Sequence, residues 1–186
     1  MLGLLRWLSG FPLAALHRLG APAGWLAYLL SPSYRRRFIA NARQAGLGPA
    51  EARPAIAEAG RLLLELPRLW LRPAGEPISP PVRWEGADAI DAALALGRGV
   101  VFLTPHLGCF EVTAQAYAER YGPRFGPITV LFRPARKAWL RPLVGGSRTR
   151  PGLAAAPATL AGVRQMIRAL RRGEAVGLLP DQVPPE

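Results

Sequence analysis

Three short apolar runs place the tightest limit on the fold of this chain. They cover residues 100–103, 128–132 and 175–179, and a glycine or proline stands close to both ends of each. Runs of four or five such residues are typical of strands that are buried on both faces. Helical segments separate the runs, and strands that alternate with helices indicate a sheet of mainly parallel strands. We therefore predict an α/β fold, a mainly parallel sheet with flanking helices.

Helical patterns fill most of the sequence around these runs. In the segment 159–172, Leu160, Val163, Ile167 and Leu170 share one face, which we expect to pack on the sheet. We also predict a short strand over residues 82–84 and a flexible basic loop over residues 145–157. Further helices are expected over residues 87–96, 108–121 and 135–143, where glycine and proline give stop signals.

The first 34 residues are apolar but interrupted by charges, glycines and prolines. A helix that spans a membrane needs about 20 apolar residues, and this segment has no such run. Aromatic residues and the following Arg35-Arg36-Arg37 favour one or two helices at a membrane interface, with the arginines at the cytoplasmic leaflet. The alternative is that these helices pack on the rest of the protein as ordinary core.

We divide the chain into three segments. Residues 1–34 form the membrane-associated helical segment, and residues 35–81 form a helical region that ends in a proline-rich connector. Residues 82–186 form the α/β domain. The strand at residues 175–179 is followed by only seven residues. Because a buried strand needs elements that cover it, we expect this domain to be incomplete at its C-terminus.

Positive charge is concentrated in two blocks. The net charge is +12; residues 1–50 hold six arginines and no acid, and residues 120–173 hold twelve basic residues and no acid. Such blocks attract nucleic acid, phospholipid headgroups, phosphorylated substrates or acidic proteins, or they form a solvated surface. One cysteine and two histidines make an internal disulfide impossible and a Cys/His zinc site implausible. We expect no metal.

The stretch with the clearest chemical content is residues 104–111, Thr-Pro-His-Leu-Gly-Cys-Phe-Glu. His106 and Glu111 are five residues apart, so they would point apart on one helix. With His106 in a loop just before the helix, Glu111 in its first turn can fold back towards the ring. A carboxylate on one imidazole nitrogen lets the other accept a proton from a hydroxyl. The alternative is a structural histidine.

This stretch resembles the H-x-x-x-x-[DE] motif of the late acyltransferases of lipid A biosynthesis, the lauroyl/myristoyl transferase family. The likeness extends to further segments: Arg35-Arg36-Arg37 with Asn41, the helix with Glu65 and Trp70, Phe132-Arg133-Pro134, the Ser147-Arg148-Thr149-Arg150 loop, residues 167–173, and Leu179-Pro180-Asp181-Gln182. The resemblance covers most of the chain.

The resemblance implies transfer of a fatty acyl chain from acyl carrier protein, or from acyl-CoA, to a hydroxyl of a lipid A precursor. It implies a sheet of the glycerolphosphate-acyltransferase type at the cytoplasmic face of a bacterial inner membrane. His106 would be the general base and Glu111 its partner, with no cofactor. The expected partners are a membrane surface, an acidic acyl carrier protein and a phosphorylated glycolipid. The expected substrate contacts are Arg133, Arg148, Arg150, Asp181 and Gln182.

Other functions stay open at this point. The acceptor can be another glycolipid or a lysophospholipid, and the chain can be an inactive fragment of such an enzyme. A basic nucleic-acid-binding module without catalysis also explains the charge. It explains neither the apolar N-terminus nor the His–Glu stretch, and no helix-turn-helix, zinc-finger or RNA-binding signature occurs. We therefore expect no nucleic-acid partner.

Overall fold

The computed structural model describes residues 2–73, 75–132 and 150–181, and the chain divides into two compact units, residues 1–68 and 69–186. The first unit is helical. The second is an α/β unit with a parallel sheet, as predicted. The helix expected over residues 135–143 lies outside the described residues.

The first unit is built from helices, of which the first two lie within the segment 1–34. They are α1 (Leu2–Ser9), α2 (Leu13–Leu30), α3 (Pro32–Gln44), α4 (Pro49–Ala52) and α5 (Pro54–Leu71), the last of which continues into the second unit. Within the described part of the chain, no helix is both long and apolar enough to cross a membrane. Association with a membrane surface stays a prediction.

A serine separates the second and third helices. Ser31 has an extended backbone, and its hydroxyl accepts a hydrogen bond of 3.3 Å from the backbone N–H of Tyr34. Pro32 follows at the first helical position, where its missing N–H costs nothing. The chain therefore turns between α2 and α3 without leaving this helix start uncapped.

Glycines let α2 and α5 approach until their backbones touch. A Cβ atom at Gly24 would lie 2.2 Å from the carbonyl oxygen of Ile56, and one at Gly60 would lie 2.1 Å from that of Gly20. Small residues at this spacing allow close helix contact. Leu16 and Ile56 are buried in the same unit.

Polar contacts also join α2 and α5 across the first unit. The Nε2 atom of His17 lies 2.8 Å from a carboxylate oxygen of Glu65. Arg68 donates a hydrogen bond of 2.9 Å to the backbone carbonyl of Phe11. These contacts tie the loop before α2 and one turn of α2 to the end of the long helix.

The second unit contains a four-stranded sheet with strand order β1-β4-β2-β3, and every pair is parallel. The strands are β1 (Val100–Leu103), β2 (Ile128–Phe132), β3 (Leu153–Pro157) and β4 (Ala175–Leu178). The helices are α6 (Ala87–Ala95), α7 (Glu111–Arg120), α8 (Gly122–Phe125) and α9 (Leu160–Arg171).

Helices cover both faces of this sheet. On one face, Tyr117 and Tyr121 of the α7 region pack with Leu94 of α6 against Ile128 and other strand residues. On the other face, α9 packs on the sheet through Met166, Ala169 and their strand neighbours Ala156 and Val176. Val176 is 1% exposed, so β4 is buried between the two helical layers, as its apolar sequence predicts.

Three expectations about strands are wrong. Residues 82–84 form no strand, and Trp84 packs edge-on against the Tyr121 ring instead. The loop expected over residues 145–157 contains β3. Alanine has a low strand propensity, so the sequence pattern does not indicate this strand, but its small side chain allows α9 to pack closely on it. β1 is not buried on both faces: it lies at the sheet edge, and Val101 and Leu103 are exposed.

The inward face of α9 also differs from the prediction. Of the predicted face, Leu170 packs against the core, whereas Leu160, Val163 and Ile167 are exposed; the buried residues are Gly162, Met166 and Ala169. A Cβ at Gly162 would lie 1.7 Å from the carbonyl oxygen of Pro157. Gly162 and Ala169 therefore determine which side of the helix faces the sheet, because only small side chains permit this close contact.

The substitution Gly24→Ala is expected to destabilise the first unit by about 2 kcal/mol, because its methyl group would overlap the Ile56 carbonyl. Gly3→Ala is the matched control, since no atom lies within 4 Å of a Cβ built there. Thermal unfolding followed by circular dichroism measures both. Equal unfolding curves for the two variants would contradict the packing described for α2 and α5.

Candidate active site

His106 lies in the loop between β1 and α7. Gly108 in this loop has φ +54°, a conformation that glycine adopts without strain. Glu111 is the first residue of α7, so His106 lies in the loop and Glu111 in the first helical turn, the arrangement that a contact between the two side chains was expected to need.

A second loop meets this one at the same edge of the sheet. β1 and β4 are parallel and in register, with Leu103 opposite Leu178, and the N–H of Thr104 donates to the carbonyl of Leu178. His106 and Asp181 each stand three residues beyond that pair. The paired strands thus deliver both side chains to one place.

His106 and Asp181 make two hydrogen bonds. The backbone N–H of His106 donates to Oδ2 of Asp181 at 2.8 Å, and the Nδ1 atom of the ring lies 2.8 Å from Oδ1. The Phe110 ring meets the imidazole edge-on at 4.7 Å between centroids. The imidazole is therefore held by a carboxylate and by an aromatic ring.

These bonds select the tautomer of the neutral imidazole. The backbone N–H of His106, followed by its imidazole, lowers the pKa of the Asp181 carboxyl below its ordinary value. The resulting carboxylate only accepts hydrogen bonds, so Nδ1 of the imidazole must be the donor. In the neutral ring, Nε2 is then the nitrogen that can accept a proton.

His106 lines a cavity of about 540 Å³ between α7 and the sheet. The cavity extends from Thr104 and Leu179, at the carboxyl ends of the strands, to Ile128 and Leu153, at their amino ends. A five-residue strand is about 16 Å long, so the cavity follows the strands for about that distance. Its lining is mainly apolar.

Polar lining residues lie near the His106 loop and along α7. Glu111 lines the cavity together with Thr113 and the buried Gln115. Burial, followed by the nearby Glu174 carboxylate, raises the pKa of Tyr117, another lining residue, to about 12. Tyr117 therefore stays neutral at physiological pH and serves as a wall of the cavity.

Gly177 lies on the sheet side of the cavity. It belongs to β4 and lines the cavity, and a Cβ there would lie 3.1 Å from a methyl carbon of Val130, its partner on β2. A larger side chain at this position would therefore crowd Val130.

Arg150 precedes the amino end of β3, whereas Asp181 follows the carboxyl end of β4, and Arg150 is 8% exposed. Its guanidinium donates to the backbone carbonyls of Leu69, Arg72 and Pro73, at and just beyond the end of α5. These oxygens have no partner within the helix, so Arg150 acts as a cap. Burial, followed by the Arg72 charge, lowers its pKa from the ordinary arginine value.

The other expected substrate contacts divide by position. Asp181 lies at the site but bonds His106, a pairing that the sequence did not predict. Arg133, Arg148 and Gln182 lie outside the described residues. Sequence reasoning also missed Phe110 and the cavity walls. The equal offset of His106 and Asp181 from two strand ends is the signal that would have paired them.

A family model described as bacterial lipid A biosynthesis acyltransferase matches residues 1–184, nearly the entire chain. The chain belongs to the bacterial lipid A biosynthesis acyltransferase family. This membership confirms the resemblance carried by residues 104–111. No curated protein matches the chain. In this lipid A acyltransferase family member, the His106 loop, the Asp181 loop and the long apolar cavity form the candidate active site.

The lowered pKa of Asp181 gives a pH prediction. The hydrogen bonds to His106 persist at pH values above the ordinary aspartate pKa and are lost only as the pH falls through the lower, folded-state pKa. The carbon-13 NMR signal of the Asp181 carboxyl should therefore titrate below 3.8. In the His106→Ala variant, the midpoint of the Asp181 titration should rise part of the way towards 3.8, because the hydrogen bond from the backbone N–H of residue 106 remains. An unchanged midpoint would show that the imidazole does not bond this carboxylate.

Proposed function

We propose that this protein is an O-acyltransferase that moves a fatty acyl chain from a thioester to a hydroxyl of a phosphorylated glycolipid precursor of lipid A. Membership of the family supports acyl transfer in lipid A biosynthesis. The observation that carries the finer proposal is a carboxylate-held histidine on the wall of a long apolar cavity.

His106 acts as the general base. Its Nδ1–H donates to Asp181, and its Nε2 takes the proton of the acceptor hydroxyl as the oxygen attacks the thioester carbonyl. The tetrahedral adduct then collapses, the carbon–sulfur bond breaks, and the thiolate takes the proton from the imidazolium. The products are an ester and a free thiol, and no cofactor enters the step.

Two carboxylates are candidates for orienting the imidazole. Asp181 makes the hydrogen bonds described above, and Glu111, the partner predicted from the sequence, lines the same cavity. A carboxylate on Nδ1 selects the tautomer whose Nε2 is a base, and it stabilises the imidazolium that forms. We assign this role to Asp181.

The cavity between α7 and the sheet is the proposed place of the acyl chain. It follows the strands for about 16 Å, and its walls include Phe102, Val130 and Leu131. Apolar walls favour a hydrocarbon over a polar substrate, because transfer of each buried methylene from water contributes about 0.8 kcal/mol. Fatty acyl thioesters therefore fit this site.

The exposed face of α9 is the proposed docking surface for an acidic acyl carrier protein. Arg164, Arg168 and Arg171 are exposed there, and the neighbouring Leu160 and Ile167 are 65% and 44% exposed. Acyl carrier protein thioester is then preferred to acyl-CoA, and kcat/KM for the two donors tests this. Equal kcat/KM values for the two donors, with neither value changed by Arg168→Glu, would show that α9 is not a docking surface for the carrier protein.

A membrane surface is the proposed location of the acceptor, on the cytoplasmic face of the bacterial inner membrane. Leu19, Leu26 and Leu30 form an exposed stripe on α2. They repeat at spacings of seven and four residues, which places them on one helix face. Sedimentation with vesicles tests this location, and Leu26→Gln/Leu30→Gln should weaken it.

His106→Ala should reduce kcat for acyl transfer by about 10²–10⁴, the usual contribution of a general base. Mass spectrometry of the lipid product measures the transfer, and an unchanged thermal unfolding midpoint shows that the variant is folded. Near-normal transfer by this variant would contradict the proposed mechanism.

Asp181→Asn should lose activity by about 10² or more, whereas Glu111→Gln should lose less. The reverse order would assign the orienting role to Glu111.

Ala114→Phe should shift the enzyme towards shorter acyl donors, because the added ring would occupy the cavity that Ala114 lines. The ratio of kcat/KM for short over long donors should rise by at least about tenfold. Ala92→Phe, the same change at an exposed position of α6 that does not line the cavity, is the control. A shift in donor preference of equal size in both variants would show that the acyl chain does not occupy this cavity.

A further inference from the structure

A second cavity lies within the first unit, among α2, α3, α4 and the start of α5. Its volume is about 380 Å³, which is within the range of about 300–1,000 Å³ that small-molecule sites occupy. The proposed acyl-transfer mechanism gives this cavity no role.

Aromatic rings form one wall of this second cavity. Trp25 and Tyr28 of α2 meet edge-on at 6.0 Å, and Tyr28 meets Phe38 of α3 at 5.5 Å between centroids. Edge-on pairs of this kind hold one another in place. Ile56 closes the cavity on the α5 side. The interior is therefore suited to an apolar chain.

The charged residues that line the cavity are both arginines. Arg43 comes from the last turn of α3, and the Arg53 guanidinium stands 5.3 Å from the centroid of the Trp25 ring. Within the described residues, neither guanidinium forms a salt bridge or hydrogen bond. Arginine is well suited to bind phosphate, and its two parallel N–H groups can hold two phosphate oxygens.

The cavity adjoins the exposed apolar stripe of α2. Trp25 and Tyr28 line the cavity, while Leu26 and Leu30, from the same turns, are 57% and 72% exposed. A ligand with an apolar chain and an anionic headgroup thus finds all the required surfaces in one region. The acid that stands beside the lining residues in sequence is Glu51, whose carboxylate accepts a hydrogen bond of 2.7 Å from the backbone N–H of Gly48.

We propose that this cavity binds one anionic phospholipid. The phosphate lies against Arg43 and Arg53, and one acyl chain enters the space beside Trp25, Tyr28 and Phe38. The bound lipid would fix the first unit to an anionic bilayer at a defined position. This site is separate from the His106 cavity and does not depend on the proposed acyl transfer.

The test titrates the full chain with dihexanoylphosphatidylglycerol, a short-chain anionic phospholipid, below its micelle concentration in a calorimeter. One saturable site is expected. Arg43→Gln/Arg53→Gln should weaken binding by at least about tenfold, since hydrogen bonds to charged groups are lost. Arg35→Gln/Arg36→Gln removes the same charge from residues that do not line the cavity and should leave the affinity within about twofold.

A second variant tests the apolar part of the site. Ala42→Trp places a large ring in the cavity and should abolish binding while the far-ultraviolet circular dichroism spectrum stays unchanged. Equal loss in the two arginine pairs would overturn the proposal in favour of a general basic surface. Equal binding of dihexanoylphosphatidylcholine, or of inorganic phosphate alone, would also overturn it. None of these outcomes bears on the His106 mechanism, which the acyl-transfer assay tests separately.

Discussion

The parallel pairing of β1 with β4 is the constraint on which the site depends. Parallel strands end at the same edge of a sheet, so residues at equal offsets beyond a paired position come together. His106 and Asp181 are 75 residues apart in sequence, yet each follows the Leu103–Leu178 pair by three residues. β4 is buried between two helical layers, and this burial holds the Asp181 loop where the His106 loop can meet it.

The same sheet also shapes the cavity. α7 packs on the sheet through Tyr117, and the cavity lies between this helix and the sheet and extends along the strands. The histidine and the apolar space are therefore consequences of one packing arrangement. The packing of α7 on the sheet therefore holds His106 and the proposed chain-binding site at a fixed position relative to each other.

Local sequence patterns predicted the parts of the fold that depend on local physics. The apolar runs predicted β1, β2 and β4, and the helix expected over residues 108–121 left His106 in the loop before it. The strand order could not be predicted, because it depends on contacts between distant segments. The exposure of β1 and the His106–Asp181 pair were missed for this reason. β3 and the inward face of α9 were missed because alanine and glycine pack there through small size, which a hydrophobic pattern does not register.

The orientation of His106 is the central claim of this account, and nitrogen-15 NMR of the imidazole tests it most directly. The ring signals are assigned by comparison with His106→Ala, which separates them from those of His17. The account predicts that neutral His106 carries its proton on Nδ1, where it bonds Asp181, and leaves Nε2 unprotonated. A neutral ring that carries its proton on Nε2 would contradict the proposed base.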